Sequence, residues 1–326
     1  MAATILPVSP PHAVAGARVT IHVTGVGVDG PRLPEVTLCG IAARAVFASR
    51  RALIVVVPGD LPAGPAAVRV EGVEGEGRVT IGAPFATGLH QVDNPVFHQD
   101  GCLYVTDSGW RGEAVKTSIF RVRPDGTREA FASGIVNATS MAFGPDRRLY
   151  VSSRFEERVY AVDASGLAVV VGTGLGTACG LAFDREGRLF VGDRSGTILA
   201  LDLASGRAHR FATLPPSIAA FHLAYGPDDA LYVTAPTLAA RDHVYRVDRE
   251  GDVTVVSSAF GRPQGLAFDP HGVLCVVEAT AGWNGVDRIS ADSAVERFVA
   301  GVDLVGLAFD PGGGLAVCSN DTVYRF

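Results

Sequence analysis

Gly265-Leu-Ala-Phe-Asp-Pro-His-Gly-Val-Leu-Cys-Val-Val-Glu278 is the stretch that decides the fold, because relatives of it recur along the chain. Close copies begin at Gly180 and Gly306 with the same Gly-Leu-Ala-Phe-Asp sequence, and looser copies surround positions 97, 143 and 225. Aligned on the aromatic residue, the copies lie at 97, 143, 183, 225, 268 and 309, so the steps are 46, 40, 42, 43 and 41 residues. A nearly fixed period in this range indicates a repeat architecture.

Each repeat is predicted to form four short strands. The first, Leu266–Phe268, is followed by a turn rich in Asp, Pro and Gly and by a second apolar strand, Leu274–Val277. Val244–Val247 alternates as a third strand would, and Val253–Val256 follows it after a glycine turn. β-branched and aromatic residues with a period of two favour strands over helices. Four-stranded units repeated six times predict an all-β, six-bladed β-propeller.

The two ends of the repeat region are predicted to pair. The chain stops at Thr322–Phe326, a third strand with no fourth strand after it. Phe85-Ala-Thr-Gly88, upstream of the first repeat, resembles the fourth-strand segments Phe131–Gly134 and Phe298–Gly301. The segment 83–88 is therefore expected to supply the missing strand, close the ring and remove an exposed edge.

Residues 1–82 do not fit the repeat and are predicted to form a separate small β-sandwich, with the propeller spanning 83–326. Glycines and prolines separate short apolar strands at Arg18–Val23, Glu35–Leu38, Ala45–Phe47, Leu53–Val57, Ala67–Glu71 and Arg78–Ile81. Six or seven strands in this length are typical of an Ig-like sandwich. The boundary lacks a Ser/Gly-rich linker, so the two domains are expected to be held rigidly.

Composition excludes several classes of function. The chain of 326 residues has a net charge of −6, and its 28 basic residues are scattered, which argues against a nucleic-acid partner. There is no apolar run near the ~18 residues that a membrane span needs and no signal peptide, so a cytoplasmic protein without a membrane partner is expected. Five cysteines without CxxC spacing are expected to be buried free thiols.

Topology sorts the polar residues of the repeats into two ends. Asp184, Asp269 and Asp310 lie in turns between first and second strands, where their carboxylates suit local hydrogen bonding. The opposite end carries the starts of first strands and the ends of second strands, and a ligand is expected there. At that end, the position that is glycine in three repeats (Gly180, Gly265 and Gly306) is a polar residue in the other three: Asn94, Ser140 and His222.

The candidate site residues all come from this end. His222 and Glu278 are the candidate catalytic groups, as a histidine and a carboxylate suit proton transfer. Candidate metal ligands are Asp93, Asp107 and Glu278, and candidate ligand-binding residues are Asn94, Ser140, Gln264, Trp110 and Trp283. Structural alternatives remain open: His222 as a hydrogen-bonded core residue, Glu278 as the partner of Arg262 or another arginine, and the tryptophans as packing for their own loops.

The repeats, with Gly180-Leu-Ala-Phe-Asp184 and Leu189-Phe-Val-Gly-Asp193 as examples, resemble those of the SMP-30/gluconolactonase-like and NHL-repeat propellers over residues 84–326. Val8-Ser-Pro10, Val19-Thr-Ile21 and Val68-Arg-Val70 resemble the IPT/TIG immunoglobulin-like domain over residues 4–82. Such domains look like spacers or binding modules.

The lactonase resemblance implies a divalent, calcium-like cation at the channel mouth, held by Glu, Asn and Asp side chains. The chain departs from that pattern. The family's early Glu-Gly-Pro is missing, and the column that holds Asn and Asp in the family reads Thr139, Cys179, Phe221, Gln264 and Val305, with only Asp93 a carboxylate. A hard cation needs six or more oxygen ligands, so the cation site is not carried over intact.

Three functions remain open from the sequence. One is hydrolysis of a lactone or ester, in which a cation polarises the carbonyl and a carboxylate or His222 activates water. The second is a metal-free site that binds a small molecule at the channel mouth. The third is a scaffold that binds a protein partner. The fold alone does not choose among them.

We expect deletion of residues 83–88 to abolish cooperative unfolding, because the strand Thr322–Phe326 would then be an unpaired edge. Thermal melting followed by circular dichroism measures this. A variant that retains a sharp melting transition would contradict the predicted pairing.

Overall fold

The computed structural model of the chain describes residues 3–27 and 32–326, and within these ranges every regular element is a β-strand. Among the described residues no helix is long and apolar enough to cross a membrane. The strands form seven sheets, five of which are separate four-stranded antiparallel sheets built from the repeats or from the repeats and one upstream strand. The fold is all-β, as the alternating sequence pattern predicts.

The strands before residue 82 are β1 (Ile5–Ser9), β2 (His12–Ala13), β3 (Arg18–Val23), β4 (Val36–Leu38), β5 (Ile41–Ala43), β6 (Ala45–Ser49), β7 (Ala52–Val56), β8 (Gly64–Val70) and β9 (Gly77–Ile81). One sheet has the order β1-β3-β7-β6, and a second run has the order β2-β9-β8-β4-β5. All six strands expected in this region are present. The sequence reasoning missed β1, β2 and β5. β1 contains Pro7 and lies at the edge of its sheet, which is where a strand tolerates proline.

The repeat region begins at β10 (Ala83–Ala86) and continues with β11 (Val96–Phe97), β12 (Leu103–Thr106), β13 (Ile119–Val122), β14 (Arg128–Ala132), β15 (Ala138–Phe143), β16 (Leu149–Ser153), β17 (Arg158–Val162), β18 (Ala168–Thr173), β19 (Ala178–Phe183), β20 (Leu189–Asp193), β21 (Thr197–Asp202) and β22 (Arg207–Thr213). It ends with β23 (His222–Tyr225), β24 (Leu231–Thr234), β25 (Asp242–Val247), β26 (Val253–Phe260), β27 (Pro263–Phe268), β28 (Leu274–Glu278), β29 (Gly285–Ile289), β30 (Val295–Ala300), β31 (Leu304–Phe309), β32 (Leu315–Ser319) and β33 (Val323–Arg325).

Each repeat forms an antiparallel meander of four strands in chain order, beginning with β11–β14 and ending with β27–β30. We number these the first to fifth repeat sheets. In the sixth, β31, β32 and β33 are joined by β10, with Ala83 opposite Arg325. The predicted pairing of the segment upstream of the first repeat with the last strand is therefore present.

The first strands of the repeat sheets lie against one another in succession: β11 with β15, β15 with β19, and onward to β31, which also contacts β11. Glycine permits this close approach. A Cβ atom on Gly180 would lie 2.4 Å from the carbonyl oxygen of Phe221, and one on Gly265 would lie 2.1 Å from Oδ1 of Asn94. Any larger residue at either position would force the neighbouring backbone or side chain to move.

The N-terminal strands are joined to the repeats by a shared sheet. β2 pairs in parallel with β30 on one side and with β9 on the other, so nine strands run as one sheet in the order β27-β28-β29-β30-β2-β9-β8-β4-β5. One apolar cluster contains both N-terminal residues such as Ile21 and repeat residues such as Val299. The sheet and its core therefore cross the predicted domain boundary without a break.

The turn carboxylates act as predicted. Oδ1 of Asp269 accepts hydrogen bonds from the backbone N–H groups of His271 and Val273, both at 2.9 Å. Asp184 and Asp310 make the same kind of bond in their own turns. These side chains stabilise tight turns.

The cysteines are all free, and four of the five are buried as expected. Cys39 is the exception, since it lies exposed in the turn between β4 and β5. Burial raises the pKa of Cys179 to about 12 and that of Cys275 to about 12. Neither buried thiol is therefore a nucleophile at neutral pH.

Candidate functional site

The centre of the candidate site is a hydrogen bond between two buried side chains, Asp93 and His222. Nδ1 of His222, at the start of β23, lies 2.5 Å from Oδ1 of Asp93, in the loop before β11. The histidine side chain has 0% of its surface exposed and the aspartate side chain 3%. We call the end of the repeat sheets at which first strands begin and second strands end the mouth, and this pair lies there.

Other polar groups hold Asp93 in place. Its Oδ1 also accepts the backbone N–H of Asn94 at 2.7 Å, and its carbonyl oxygen accepts Nε2 of Gln91 at 2.7 Å. Oε1 of Gln91 in turn accepts both the backbone N–H and the hydroxyl of Thr106. A buried carboxylate is costly unless it is paired and hydrogen-bonded, and Oδ1 of Asp93 is bonded to both His222 and Asn94, whereas the Gln91 bond fixes the backbone of Asp93.

The second ring nitrogen of His222 is also occupied. Nε2 lies 3.2 Å from Oε1 of Gln264, the second residue of β27. The contact fits a neutral imidazole if the glutamine amide is turned so that its NH2 group donates, or an imidazolium that donates to both oxygens. In either state neither ring nitrogen points to open space, so His222 reaches a ligand only after Gln264 moves.

Asn94 and Ser140, two of the predicted ligand-binding residues, connect different repeat sheets. Nδ2 of Asn94 donates to the carbonyl oxygen of Leu266 at 2.8 Å, and its Oδ1 accepts the N–H of Leu307 at 3.0 Å. Oγ of Ser140 accepts the N–H of Leu181 at 3.1 Å. These side chains replace glycine where a backbone group of another first strand needs a partner.

Glu278, the second predicted catalytic group, has both carboxylate oxygens engaged. Oε2 accepts the backbone N–H of Gly261 at 2.6 Å, and Oε1 accepts the N–H of Arg262 at 2.9 Å. The N–H and hydroxyl of Thr280 also donate to Oε1, at 2.7 and 2.6 Å. The carboxylate joins the loop before β27 to the loop after β28, and the partner at Arg262 is its backbone rather than its guanidinium.

The predicted metal ligands do not come together. Across residues 3–27 and 32–326 no three His, Cys, Asp or Glu side chains form a group that could hold a metal ion. Asp93 is bonded to His222, and Glu278 is bonded to backbone donors and to the Thr280 hydroxyl. Asp107 directly follows β12, and its backbone N–H donates to the carbonyl oxygen of Ser118. A calcium-like ion needs six or more oxygens, and this donor set does not fit one.

The two tryptophans occupy different surroundings. Trp110 is largely exposed and lies edge-on to His90, with 6.0 Å between ring centroids. Trp283, in the loop between β28 and β29, lines a cavity together with Phe47 of the N-terminal strand β6. The predicted aromatic residue of the fifth repeat therefore faces the N-terminal region.

The sequence did not identify two arginines at the mouth as candidate site residues. Arg154 follows β16 and Arg194 follows β20, one residue beyond the second-strand ends that the repeat pattern singled out. Neither forms an ion pair among the described residues, and Nε of Arg194 is buried without a hydrogen-bond partner. Extending the alignment by one column would have found this pair of adjacent cations.

The surroundings of Arg154 favour an anion. Burial lowers the pKa of its guanidinium, and the neighbouring positive charge of Arg194 lowers it as well. Cys179 lies close enough to both guanidinium groups to interact with them electrostatically. It is a neutral thiol at neutral pH and therefore does not neutralise their positive charge. Partial burial desolvates the two guanidinium groups, and their like charges repel each other. An anion bound between them would reduce both the desolvation energy and the repulsion.

A cavity of about 560 Å³ also opens at the mouth, beside the fifth and sixth repeat sheets. Gln264 lines it, so the buried pair of Asp93 and His222 is separated from this cavity by one glutamine side chain. Other polar lining residues are Arg262, Asn284, Asp303, Ser319, Asn320, Asp321 and Thr322. Its volume is within the usual range for small-molecule sites.

No protein-family profile matches the sequence, and a search of curated proteins gives no match. Solved structures do resemble the fold. An auxiliary nutrient binding protein from Bacteroides ovatus matches over 100% of this chain and 97% of its own, with a TM-score of 0.58 and 14% identity. A gluconolactonase from Xanthomonas campestris matches over 73% of this chain and 87% of its own, with a TM-score of 0.59 and 19% identity.

The chain has a propeller-like, all-β fold. A virginiamycin B lyase from Staphylococcus aureus, solved as a catalytically inactive histidine-to-alanine variant with quinupristin, also matches over 75% of this chain and 87% of its own, with a TM-score of 0.53 and 15% identity. These similar folds belong to proteins with different activities, and at such identities the likeness extends to the fold alone.

We expect Glu278→Gln to destabilise the protein by about 1–3 kcal/mol, because the new amide NH2 would face backbone donors and leave buried N–H groups unpaired. Urea unfolding measures the change. Glu296→Gln is the matched control, since Glu296 is exposed on β30. Equal stability of the two variants would show that the Glu278 carboxylate is not needed by its loops.

Proposed function

We propose that residues 83–326 form a six-bladed β-propeller and that residues 1–82 form an IPT/TIG-like, Ig-like sandwich docked on its fifth blade. The meandering repeat sheets, the contact of β31 with β11 and the pairing of β10 with β33 support the propeller. The two N-terminal sheets around a shared apolar cluster support the sandwich. The match of whole chains with the Bacteroides ovatus protein supports the combination.

We propose that the propeller binds a small oxygen-rich anion, a hydroxycarboxylate, at its mouth without a metal ion. The observation that carries this proposal is that two partly buried arginines, Arg154 and Arg194, form no ion pair among the described residues. Each has one nitrogen near a neutral oxygen only: Nη2 of Arg194 donates to the carbonyl oxygen of Ile218 at 2.9 Å, and Nη2 of Arg154 lies 3.5 Å from Oγ of Ser108. A guanidinium binds a carboxylate through two parallel, charge-assisted hydrogen bonds, which makes a carboxylate the natural partner.

Non-catalytic binding is the function that this geometry supports best. The two predicted catalytic groups, His222 and Glu278, already have every hydrogen-bonding atom engaged with protein. The arginines, in contrast, retain donors. The Bacteroides ovatus protein of similar overall fold is described as nutrient binding, which agrees with a binding role.

We expect gluconate, used as a probe, to bind with an affinity that falls about tenfold or more in Arg154→Met and in Arg194→Met, because each loses a charge-assisted contact. Isothermal titration calorimetry measures this, and addition of EDTA is expected to leave the affinity unchanged. Arg210→Met is the control, since Arg210 is exposed on β22, the outermost strand of the third repeat sheet.

The proposal fails if gluconate does not bind, if the two mouth variants bind as well as the Arg210 control, or if EDTA removes binding. Loss of binding on addition of EDTA would show that a metal cation is needed, which the carboxylates at the mouth do not suggest.

Lactone hydrolysis is the second candidate, and the short contact between Asp93 and His222 favours it. Asp93 would hold the Nδ1–H of His222, leaving Nε2 to take a proton from water once Gln264 turned aside. The water oxygen would attack the lactone carbonyl carbon, the ring C–O bond would break, and the proton would pass to the leaving oxygen to give a hydroxy acid. The hydroxy acid that this reaction forms is a hydroxycarboxylate, the class of anion proposed above as the ligand of the mouth.

For this second candidate we expect glucono-δ-lactone to open faster with the protein than without it, and His222→Asn to lose that acceleration. Gln264→Ala should raise the rate, because it frees Nε2. His209→Asn, on the exposed strand β22, is the control, and circular dichroism checks folding. If the wild-type protein gives no acceleration, or if His222→Asn folds and retains the rate, His222 is not a catalytic residue.

A further inference from the structure

A second cavity, of about 560 Å³, lies between the N-terminal strands and the fifth repeat sheet. Its N-terminal wall is formed by β1, β3, β6 and β7, and its other wall by the loops 279–284 and 300–303. We call it the seam groove. It contains neither Arg154 nor Arg194, on which the anion site proposed above rests, but it adjoins the cavity at the mouth, because Ala279, Asn284, Val302 and Asp303 line both.

Two aromatic rings are exposed in the seam groove. Trp283 has 65% of its surface exposed and Phe47 has 51%, and both line the cavity. Val46 and Val302, also exposed, lie in the same walls. Large exposed apolar surfaces that share a concave site are typical of ligand binding rather than of ordinary surface.

Trp283 is held in a fixed position. The Arg297 guanidinium lies 4.9 Å from the centre of its ring, and Nη1 of Arg297 donates to the Trp283 carbonyl oxygen at 3.0 Å. Arg297 is itself fixed by two bonds to Asp287, at 2.5 and 3.0 Å. A platform fixed before binding loses little freedom when a ligand stacks on it.

Polar groups with free bonding capacity surround the rings. Arg18 and Asp303 line the groove, and neither forms an ion pair or a side-chain hydrogen bond among the described residues. Asn284 uses its Oδ1 to accept the N–H of Leu304 at 3.1 Å, which leaves the amide nitrogen available. The guanidinium and the carboxylate balance each other in charge, so the groove favours a neutral ligand.

We propose that the seam groove binds a neutral saccharide. A sugar ring presents C–H groups on its faces, which pack on aromatic rings, and hydroxyl groups around its edge, which both donate and accept hydrogen bonds. Arg18, Asn284 and Asp303 provide donors and acceptors of both kinds beside Trp283 and Phe47. A purely apolar ligand would leave these polar groups unpaired, and an anion would meet the Asp303 carboxylate.

The experiment uses the small number of tryptophans. The chain has two, so Trp110→Phe leaves Trp283 as the sole reporter of indole fluorescence. The full-length Trp110→Phe protein is titrated with maltose, cellobiose, gluconate and benzoate. We expect a saturable change in Trp283 fluorescence with at least one of the two disaccharides, and none with gluconate or benzoate.

Variants then place the binding in the groove. Phe47→Ala in the same background is expected to weaken binding about tenfold, and Arg18→Met to weaken it as well, whereas Arg210→Met leaves it unchanged. For calorimetry, Trp283→Ala in the otherwise wild-type chain is expected to lose disaccharide binding but to keep gluconate binding. Trp283 and Phe47 are exposed, so these variants should fold, and circular dichroism checks that they do.

The proposal is overturned if neither disaccharide gives a saturable response, if benzoate alone gives one, or if folded Trp283→Ala and Phe47→Ala proteins bind the disaccharide as tightly as the parent. Loss of gluconate binding in the Arg154 variant would leave the disaccharide result unchanged, so failure of one site is distinguishable from failure of the other.

Discussion

The hydrogen bond between Asp93 and His222 is the constraint on which the structure of the mouth depends. It buries a carboxylate and an imidazole that are 129 residues apart in the chain. Such a pair is tolerated when it is hydrogen-bonded, because desolvation of an unpaired charge costs several kcal/mol. The N–H of Asn94 donates to the Asp93 carboxylate and Gln264 contacts the second ring nitrogen of His222, while glycines at 265 and 306 leave room for Asn94 to enter between strands.

The need to pair buried polar groups also explains why several polar residues at the mouth have a structural role. First strands that lie side by side leave backbone groups between sheets, and Asn94 and Ser140 bond to them. Glu278 performs the corresponding task for two loops. Arg154 and Arg194, in contrast, form no ion pair among the described residues, and a guanidinium without a counter-charge is suited to binding an anion. This distribution supports the proposal that the mouth binds a ligand.

The N-terminal strands give the molecule a second concave surface. Because β2 adds to the edge of the fifth repeat sheet, the orientation of the N-terminal sheets is set by backbone hydrogen bonds rather than by a linker. Trp283 and Phe47, on different parts of the chain, face one cavity as a result. Interfaces between such parts of a protein are common places for ligand sites, as they form clefts whose walls are already rigid.

The amino-acid sequence by itself determined the repeated strands, the turns and the end of the sheets at which irregular polar residues gather. These features follow from local rules: alternation of apolar side chains, glycine and aspartate in turns, and a period near 42 residues. It also indicated that the segment 83–88 would pair with the last strand, because the sixth repeat has no fourth strand of its own, and the structure pairs 83–86 with that strand.

Only the tertiary structure decided which polar side chains meet. That Glu278 bonds to the backbone of Gly261 and Arg262, that His222 reaches Asp93, and that Trp283 faces Phe47 depends on distances between segments far apart in the chain. A periodic pattern states which face of a strand is buried, but it carries no information on which donor lies opposite an acceptor. The site is therefore a property of how the sheets pack, whereas the sheets are a property of the repeat.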